Sequence, residues 1–144
     1  MHTDINDSLN SLVYKANIVL KNKLQTVLKS FDITSEQWIT LNRLNEKDGY
    51  NQKELSIESY KEQAAITRAL DILENKGLIE RKKSPNDRRA FLVFITIKGK
   101  ELLAETLPNA KQYRDMLDSV LSKEETETLK SLIRKLCNGL TSNK

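Results

Sequence analysis

Apolar residues at spacings of three and four dominate both ends of the chain and predict long amphipathic helices there. The first such stretch covers residues 5–31. A second pattern starts near Thr96 and continues past Pro108, a residue that bends or interrupts a helix. The last stretch covers residues 123–140, with large apolar side chains on one face. Because little of the remaining chain is left to cover these faces, we expect them to interlock with a second copy.

Between the two ends, capping motifs predict short helices joined by tight turns. A capping box over residues 34–37 starts a helix at residue 35 that ends near residue 48. Residues 51–54 repeat the motif and open a second short helix. Residues 59–62 are a third candidate cap, just ahead of a helix over residues 62–76. The first of these helices is predicted to turn four side chains inward: Trp38, Ile39, Leu41 and Leu44.

The helix over residues 62–76 has one apolar and one polar face. Its inward residues recur at i, i+4 and i+7 and are widened by Ile72. They are Ile66, Leu70 and Leu73. The opposite face carries Ala64, Arg68, Asp71 and Asn75, with Gln63 and Thr67 on its flank. Gly77 follows, and glycine readily takes the positive φ that closes a helix.

A hairpin with a basic tip is predicted next. Its strands cover residues 79–83 and 90–96, and the turn formers of residues 84–87 lie between them. Both faces of the second strand are apolar, which predicts that it is covered. The loop and its flanks set five cations against Asp87: Arg81, Lys82, Lys83, Arg88 and Arg89. Cations on a narrow ribbon suit a phosphate backbone and a minor groove.

Composition narrows the function classes. The chain has 144 residues, a formal net charge of +4 and a pI of about 9.1, which permits nucleic acid as a partner. One cysteine excludes an intrachain disulfide. We expect no signal peptide and no membrane span, and therefore a cytoplasmic protein. With His2 as the single histidine, the sequence predicts no metal site, no cofactor, no histidine-based triad and no enzyme activity.

Three segments together resemble the signature of the MarR family of winged helix-turn-helix regulators. They are L-E-N-K-G-L-I over residues 73–79, D-R-R over residues 87–89 and I-T-I-K-G over residues 95–99. The resemblance implies one domain over residues 1–144, mainly α with a small β-wing. Its winged helix-turn-helix would cover residues 34–96, and the helices of 5–31 and 97–140 would form a homodimer. Such a dimer binds a palindromic DNA operator and commonly represses transcription until a small-molecule effector releases it.

The helix over residues 62–76 then takes the role of the recognition helix in the major groove. Gln63 is expected to read adenine, and Arg68 to contact guanine or a phosphate. Thr67 would contact a phosphate or a base. Ala64 and Ala65 stand where relatives often carry serine or threonine, and their methyl groups can contact thymine but cannot donate a hydrogen bond. The alternative interpretation is a surface helix whose polar face is only solvated.

The hairpin tip is expected to enter the minor groove. In the family pattern an acidic residue steadies the arginine two positions later, which implies that Asp87 holds Arg89. Arg88 and Lys83 would add phosphate contacts, and only one of Lys82 and Lys83 should face the DNA. The alternative is a polar tip with a local ion pair, worth at most about 1 kcal/mol. The rival function is a winged-helix protein-interaction module that does not bind DNA.

An effector is expected between the dimer helices and the winged part. The candidates for its site are Tyr14, Lys15, Trp38, Arg43 and Tyr113, with ordinary core and surface roles as the alternative. Cys137 is predicted to be a small buried apolar residue. Peroxide-sensing relatives carry a reactive cysteine in the first helix, and residues 1–31 contain none.

Overall fold

The computed structural model describes residues 4–59 and 61–141. A short 3₁₀ helix, Ile5–Asp7, comes first. The helices that follow are α1 (Leu9–Val27), α2 (Ser35–Leu44), α3 (Gln52–Ser59), α4 (Gln63–Asn75), α5 (Ile97–Glu105), α6 (Leu107–Asp118) and α7 (Lys123–Thr141). The strands β1 (Tyr50–Asn51), β2 (Ile79–Lys83) and β3 (Phe91–Ile95) form an antiparallel sheet in the order β1-β3-β2. The predicted fold class, mainly α with a small β-wing, is confirmed.

The first helix is shorter than predicted. Ser8 interrupts the apolar pattern, because its Oγ accepts a hydrogen bond from the N–H of Ser11 at 3.2 Å and begins α1 there. At the other end the chain turns after Val27, and Leu28 is fully buried. The single helix predicted over residues 5–31 is therefore wrong at both ends.

Helix α2 begins as predicted. The Thr34 Oγ1 accepts from the N–H of Gln37, and the Gln37 Oε1 accepts from the N–H of Thr34, both at 3.1 Å. Leu41 and Leu44 are fully buried, and Trp38 is half-buried. Ile39 is 47% exposed, so its predicted inward position is wrong. The helix also ends at Leu44, earlier than predicted, and turns lead from there to β1.

The two helices of the helix-turn-helix are α3 and α4. The Asn51 Oδ1 accepts from the N–H of Glu54 at 2.7 Å and starts α3, as predicted. The cap predicted over residues 59–62 is wrong, since Ser59 ends α3 and the cap of α4 is Glu62, which makes no side-chain capping bond. Tyr60 lies outside the described residues.

The core of the winged part lies beneath α4 and the sheet. The three predicted inward residues of α4 are at most 1% exposed: Ile66, Leu70 and Leu73. Ile72 is 44% exposed, so the predicted apolar stripe is too wide. Gly77 takes φ of +76°, as the helix end requires. In β3, Val93 and Ile95 are buried, and Phe91, at the strand's start on the same face, is exposed. Leu92 and Phe94 on the opposite face are half-buried, so the predicted cover is complete on neither face.

The C-terminal helices follow the predicted punctuation. The Thr96 Oγ1 caps α5, and Pro108 stands in the first turn of α6, so it starts a new helix. The Ser122 Oγ accepts from the N–H of Glu125 at 3.1 Å and caps α7. No residue of α7 is buried within the described chain. Cys137 is exposed for the same reason, and the prediction that it is buried is wrong for the single subunit.

Candidate nucleic-acid interface

The first turns of α4 present a polar face to solvent. Gln63, Ala64 and Arg68 are exposed, on the side of α4 opposite the buried Ile66 and Leu70. Helix α3 packs against α4 and holds this face outward, with Leu55 fully buried in the shared core. The geometry is that of a helix available to a groove.

Gln52, at the start of α3, is a residue that the sequence analysis missed. Its Nε2 donates to the Thr67 Oγ1, and the Thr67 hydroxyl donates to the carbonyl oxygen of Gln63 at 2.9 Å. The polar capacity of Thr67 is therefore largely used within the protein, and its methyl group remains for an outside contact. The capping motif around residues 51–54 placed Gln52 at a helix start, but gave no sign of its partner.

The hairpin tip is exposed and basic. The Asp87 Oδ1 accepts from the backbone N–H of Arg89 at 2.9 Å. The predicted contact between these residues is present, but it orders the backbone and leaves the guanidinium of Arg89 unengaged. Among the described residues, no carboxylate lies within 4.0 Å of the cationic groups of Arg88 or Arg89.

The two lysines at the end of β2 lie on opposite faces. The Lys82 Nζ lies 3.3 Å from the Glu80 Oε1 and 5.3 Å from the ring centroid of Phe94. Lys83 shares the strand face of Arg81, which contacts α4. Because alternate side chains of a strand share a face, Lys83 lies on the recognition-helix side of the ribbon.

Arg81 differs from the other cations of the hairpin. Its Nη2 donates to the Asp71 Oδ1 and to the Glu74 Oε1, both at 2.7 Å, and its Nε reaches the Glu74 Oε1 at 3.2 Å. The hydrogen bond from Arg81 lowers the pKa of Glu74, and Glu74 raises the pKa of Arg81. Counting Arg81 among the available cations, as the sequence analysis did, is therefore wrong.

A second feature is a cleft of about 300 Å³ between α1, α2 and α6. Tyr113 lines it and is partly buried, which raises the pKa of its phenol. Lys21 and Lys61 hold Glu36 there, with Nζ–oxygen distances of 2.9 and 3.8 Å. The Lys21 hydrogen bond and the charge of Lys61 lower the pKa of Glu36. The buried Ser35 Oγ in the cleft wall has no hydrogen-bond partner in the described chain.

Of the five residues predicted for an effector, the structure brings only Tyr113 into this cleft. Tyr14 is 69% exposed, and Lys15 is exposed as well. Trp38 packs near Tyr113 against the same apolar cluster, but its Nε1 donates to the Thr106 Oγ1 at 2.9 Å. Arg43 lies 4.0 Å from Glu58, in the winged part. The ligand roles of these residues stay predictions.

Within residues 4–59 and 61–141, no group of three or more histidine, cysteine, aspartate or glutamate side chains is arranged to hold a metal ion. The helices of that same part are all too short or too polar to cross a membrane.

An exposed helix beside a basic two-stranded ribbon, on a helix-turn-helix, defines the class of winged-helix DNA-binding transcriptional regulators. The profile described as "MarR family" matches residues 33–91. Escherichia coli O111:H- HosA, a transcriptional regulator, is 30% identical over 108 residues, which are 75% of this chain and 80% of that protein. The chain belongs to the MarR family of transcriptional regulators.

Two further comparisons agree with this family assignment. The transcriptional repressor MprA of Escherichia coli K12 is 34% identical over 124 residues, which are 85% of this chain and 70% of that protein. The crystal structure of an Escherichia coli MarR variant complexed with operator DNA superposes with a TM-score of 0.87 at 28% identity. The superposition covers 93% of this chain and 99% of that one.

Proposed function

We propose that the protein is a homodimeric, ligand-responsive repressor that binds a palindromic operator. The observation that carries this proposal is the pairing of an exposed reading face on α4 with an unengaged pair of arginines on the adjoining hairpin. The operator complex of the MarR variant supports it for DNA, and the name of MprA supports repression.

The exposed apolar faces of the terminal helices support a homodimer. On α7 they consist of Leu129, Leu132, Ile133, Leu136 and Leu140, and on the N-terminal segment of Ile5, Leu9, Leu12 and Val13. Apolar surface of this kind is stabilised by about 25 cal/mol for each Å² removed from water. A second copy offers the same faces, so an isologous contact buries both sets at once.

In the proposed complex each subunit places α4 in a major groove. Gln63 and Arg68 read base edges, and Ala64 contacts a thymine methyl group. Thr67 takes part through its methyl group, since Gln52 and Gln63 engage its hydroxyl. Half-sites about 10 bp apart match the two-fold symmetry.

The hairpin takes the flanking minor groove in this proposal. Arg89 enters the groove and Asp87 orders the turn through the backbone N–H of Arg89. Arg88 and Lys83 contact phosphates, and Lys83 is preferred over Lys82 because it lies on the α4 side of the ribbon.

The proposed effector is a small molecule with an anionic group, bound in the cleft beside Tyr113. Its anionic group replaces Glu36 as the partner of Lys21 and Lys61, and the Ser35 hydroxyl supplies a hydrogen bond. Lys61 lies two residues before α4, so a change in its partner alters the start of the recognition helix.

The test is fluorescence anisotropy with labelled duplexes from the DNA flanking the coding sequence, against a scrambled duplex of equal length. We expect preference for one flanking duplex and a linear fall of log affinity with log salt. Small carboxylic acids added to the complex should release it. Equal, salt-insensitive and weak binding to every duplex would contradict the proposal, and binding of an acidic protein instead would favour the interaction module.

A further inference from the structure

Arg81 occupies the middle of β2, and its side chain is turned toward the C-terminal half of α4. It pairs with Val93 of β3, a fully buried residue, so its side chain lies on the covered face of the sheet. The side chain is 22% exposed. Besides the guanidinium contacts with Asp71 and Glu74, its backbone N–H donates to the Glu74 Oε2 at 3.0 Å. One residue thus connects the wing to the recognition helix through four hydrogen bonds.

This cluster is poorly suited to attract DNA. Two carboxylates surround one guanidinium, so the group carries a net negative charge. Three nitrogens of Arg81, the backbone N, Nε and Nη2, already donate to carboxylate oxygens, so its guanidinium is less available to a phosphate than those of Arg88 and Arg89. A role other than phosphate contact is needed to account for an acidic cluster beside the reading surface.

The lever arm of the hairpin supplies such a role. The chain is extended from Arg81 to Lys83 and continues through a bend to Asn86, a reach of at most about 16 Å at about 3.3 Å per residue. A rotation of about 10° at Arg81 would displace the tip by up to about 3 Å, which is more than the tolerance of a hydrogen bond. The position of Arg89 relative to α4 therefore depends on the angle at the base of the ribbon.

We propose that Arg81 is a positioning residue, held by Asp71 and Glu74, that sets the wing in register with the recognition helix. This inference rests on the proposed function, because it assumes that α4 and the hairpin tip contact the same duplex. The cluster itself makes no DNA contact. It fixes the hairpin tip relative to α4, so that the two can enter adjacent grooves of one duplex together.

The sign of one substitution separates positioning from simple charge. Glu74→Ala removes a negative charge close to DNA, so charge alone predicts tighter binding. Positioning predicts weaker binding, by about tenfold for a coupled contact of this kind. Glu80→Ala is the matched control, since it removes the same charge one residue from Arg81, on the other face of β2, where the ion pair of Glu80 among the described residues is with Lys82. It should leave affinity unchanged or slightly higher.

The experiment is a double-mutant cycle of Arg81→Ala and Glu74→Ala, with DNA affinity measured at several salt concentrations. We expect each single variant to bind about tenfold more weakly, and the double variant to bind no more weakly than either. The slope of log affinity against log salt should stay at the wild-type value, because no phosphate contact is lost. Footprinting should show the minor-groove flank deprotected while the major-groove half-site stays protected.

Three results would overturn the inference. A reduced salt slope in Arg81→Ala, with tighter binding by Glu74→Ala, would make Arg81 a DNA contact. Unchanged DNA affinity in both Arg81→Ala and Glu74→Ala would show that Arg81 does not position the wing. If Arg89→Ala still bound more weakly, the proposed function would stand without this inference. No salt-dependent binding by the wild type would overturn both. Thermal unfolding accompanies each variant, and if Arg81→Ala does not fold, Arg81→Lys decides, since lysine keeps the charge but cannot bridge both carboxylates in the same way.

Discussion

The winged part and the terminal helices of this molecule are stabilised in different ways. In the winged part, α2, α3, α4 and the sheet share one core in which Leu41, Leu55 and Leu70 are fully buried. Helix α7 is amphipathic like α4, but none of its residues is buried in the described chain. The same kind of sequence pattern therefore has two outcomes. One half of the molecule completes its core within the chain, and the other leaves apolar faces that only a further surface can cover.

The junction between the two regions is specific. The Trp38 Nε1 donates to the Thr106 Oγ1, and the Asn109 Nδ2 donates to the carbonyl oxygen of Val27 at 2.8 Å. The first bond joins α2 to the start of α6, and the second joins α6 to the end of α1. A change in the packing of the terminal helices therefore has a direct route to the winged part.

The largest expected effect comes from the core of the winged part. Leu41→Ala should lower the free energy of unfolding by about 2–5 kcal/mol, because it opens a cavity in a fully packed site. The loss should not depend on protein concentration, since Leu41 lies within one subunit's core. Chemical denaturation at two protein concentrations measures it. Ile39→Ala, on the exposed side of the same helix, is the control, and an equal loss there would contradict the comparison.

The next effect concerns α7. Leu136→Asp should convert the proposed dimer to a monomer and raise the apparent dissociation constant for operator DNA about 100-fold, because a charge is placed in an apolar contact. Light scattering gives the mass, and anisotropy gives the affinity. Ser131→Asp introduces the same charge on the opposite face of α7 and should leave both unchanged. A monomeric wild type would show that the apolar faces have another partner.

Local chemistry made much of the fold predictable. The capping boxes at Thr34 and Ser122 and the positive φ of Gly77 each depend on residues within four positions, and all three are present. The family resemblance was carried by the same kind of local signal. Ile39 and Ile72 were assigned inward because periodicity marks a face but not its edges, and both lie at an edge that the described chain covers only in part.

The candidate site was harder to predict, because its contacts are distant along the chain. Arg81 was counted with the hairpin cations, since nothing local indicates that it turns back across Gly77 to Glu74 and Asp71. Lys21 and Lys61 lie 15 and 25 residues from Glu36 and gave no shared pattern. Charge along a sequence therefore overstated the basic character of the wing and missed the ionic cluster of the cleft.

A smaller effect separates the cations of the hairpin. Arg89→Ala should weaken operator binding by about 1–3 kcal/mol and reduce the salt slope by about one, because one counterion-releasing contact is lost. Lys82→Ala is the matched control, since Lys82 lies over Phe94 and beside Glu80 on the other face of the ribbon. Anisotropy titrations between low and moderate salt give both slopes. If Lys82→Ala reduced the salt slope as much as Arg89→Ala, Lys82 would also contact the DNA, and the assignment of faces to the ribbon would be wrong.

The smallest expected effect lies at the boundary between the regions, where Lys21 of α1 donates to Glu36 of α2. The Lys21 hydrogen bond holds the pKa of Glu36 below its ordinary value of 4.5. A depressed pKa stabilises the folded state above the unfolded value, and this contribution is lost as pH falls from about 4.5 through the folded pKa. Because both side chains are more than half exposed, the pair is worth at most about 1 kcal/mol.

Lys21→Met should raise the pKa of Glu36 in an NMR titration. It should also reduce the loss of unfolding free energy as the pH falls below about 4.5, whereas Lys29→Met should leave both quantities unchanged. If the pKa of Glu36 stayed low in Lys21→Met, then Lys61, which lies two residues before the recognition helix, would be the residue that lowers it.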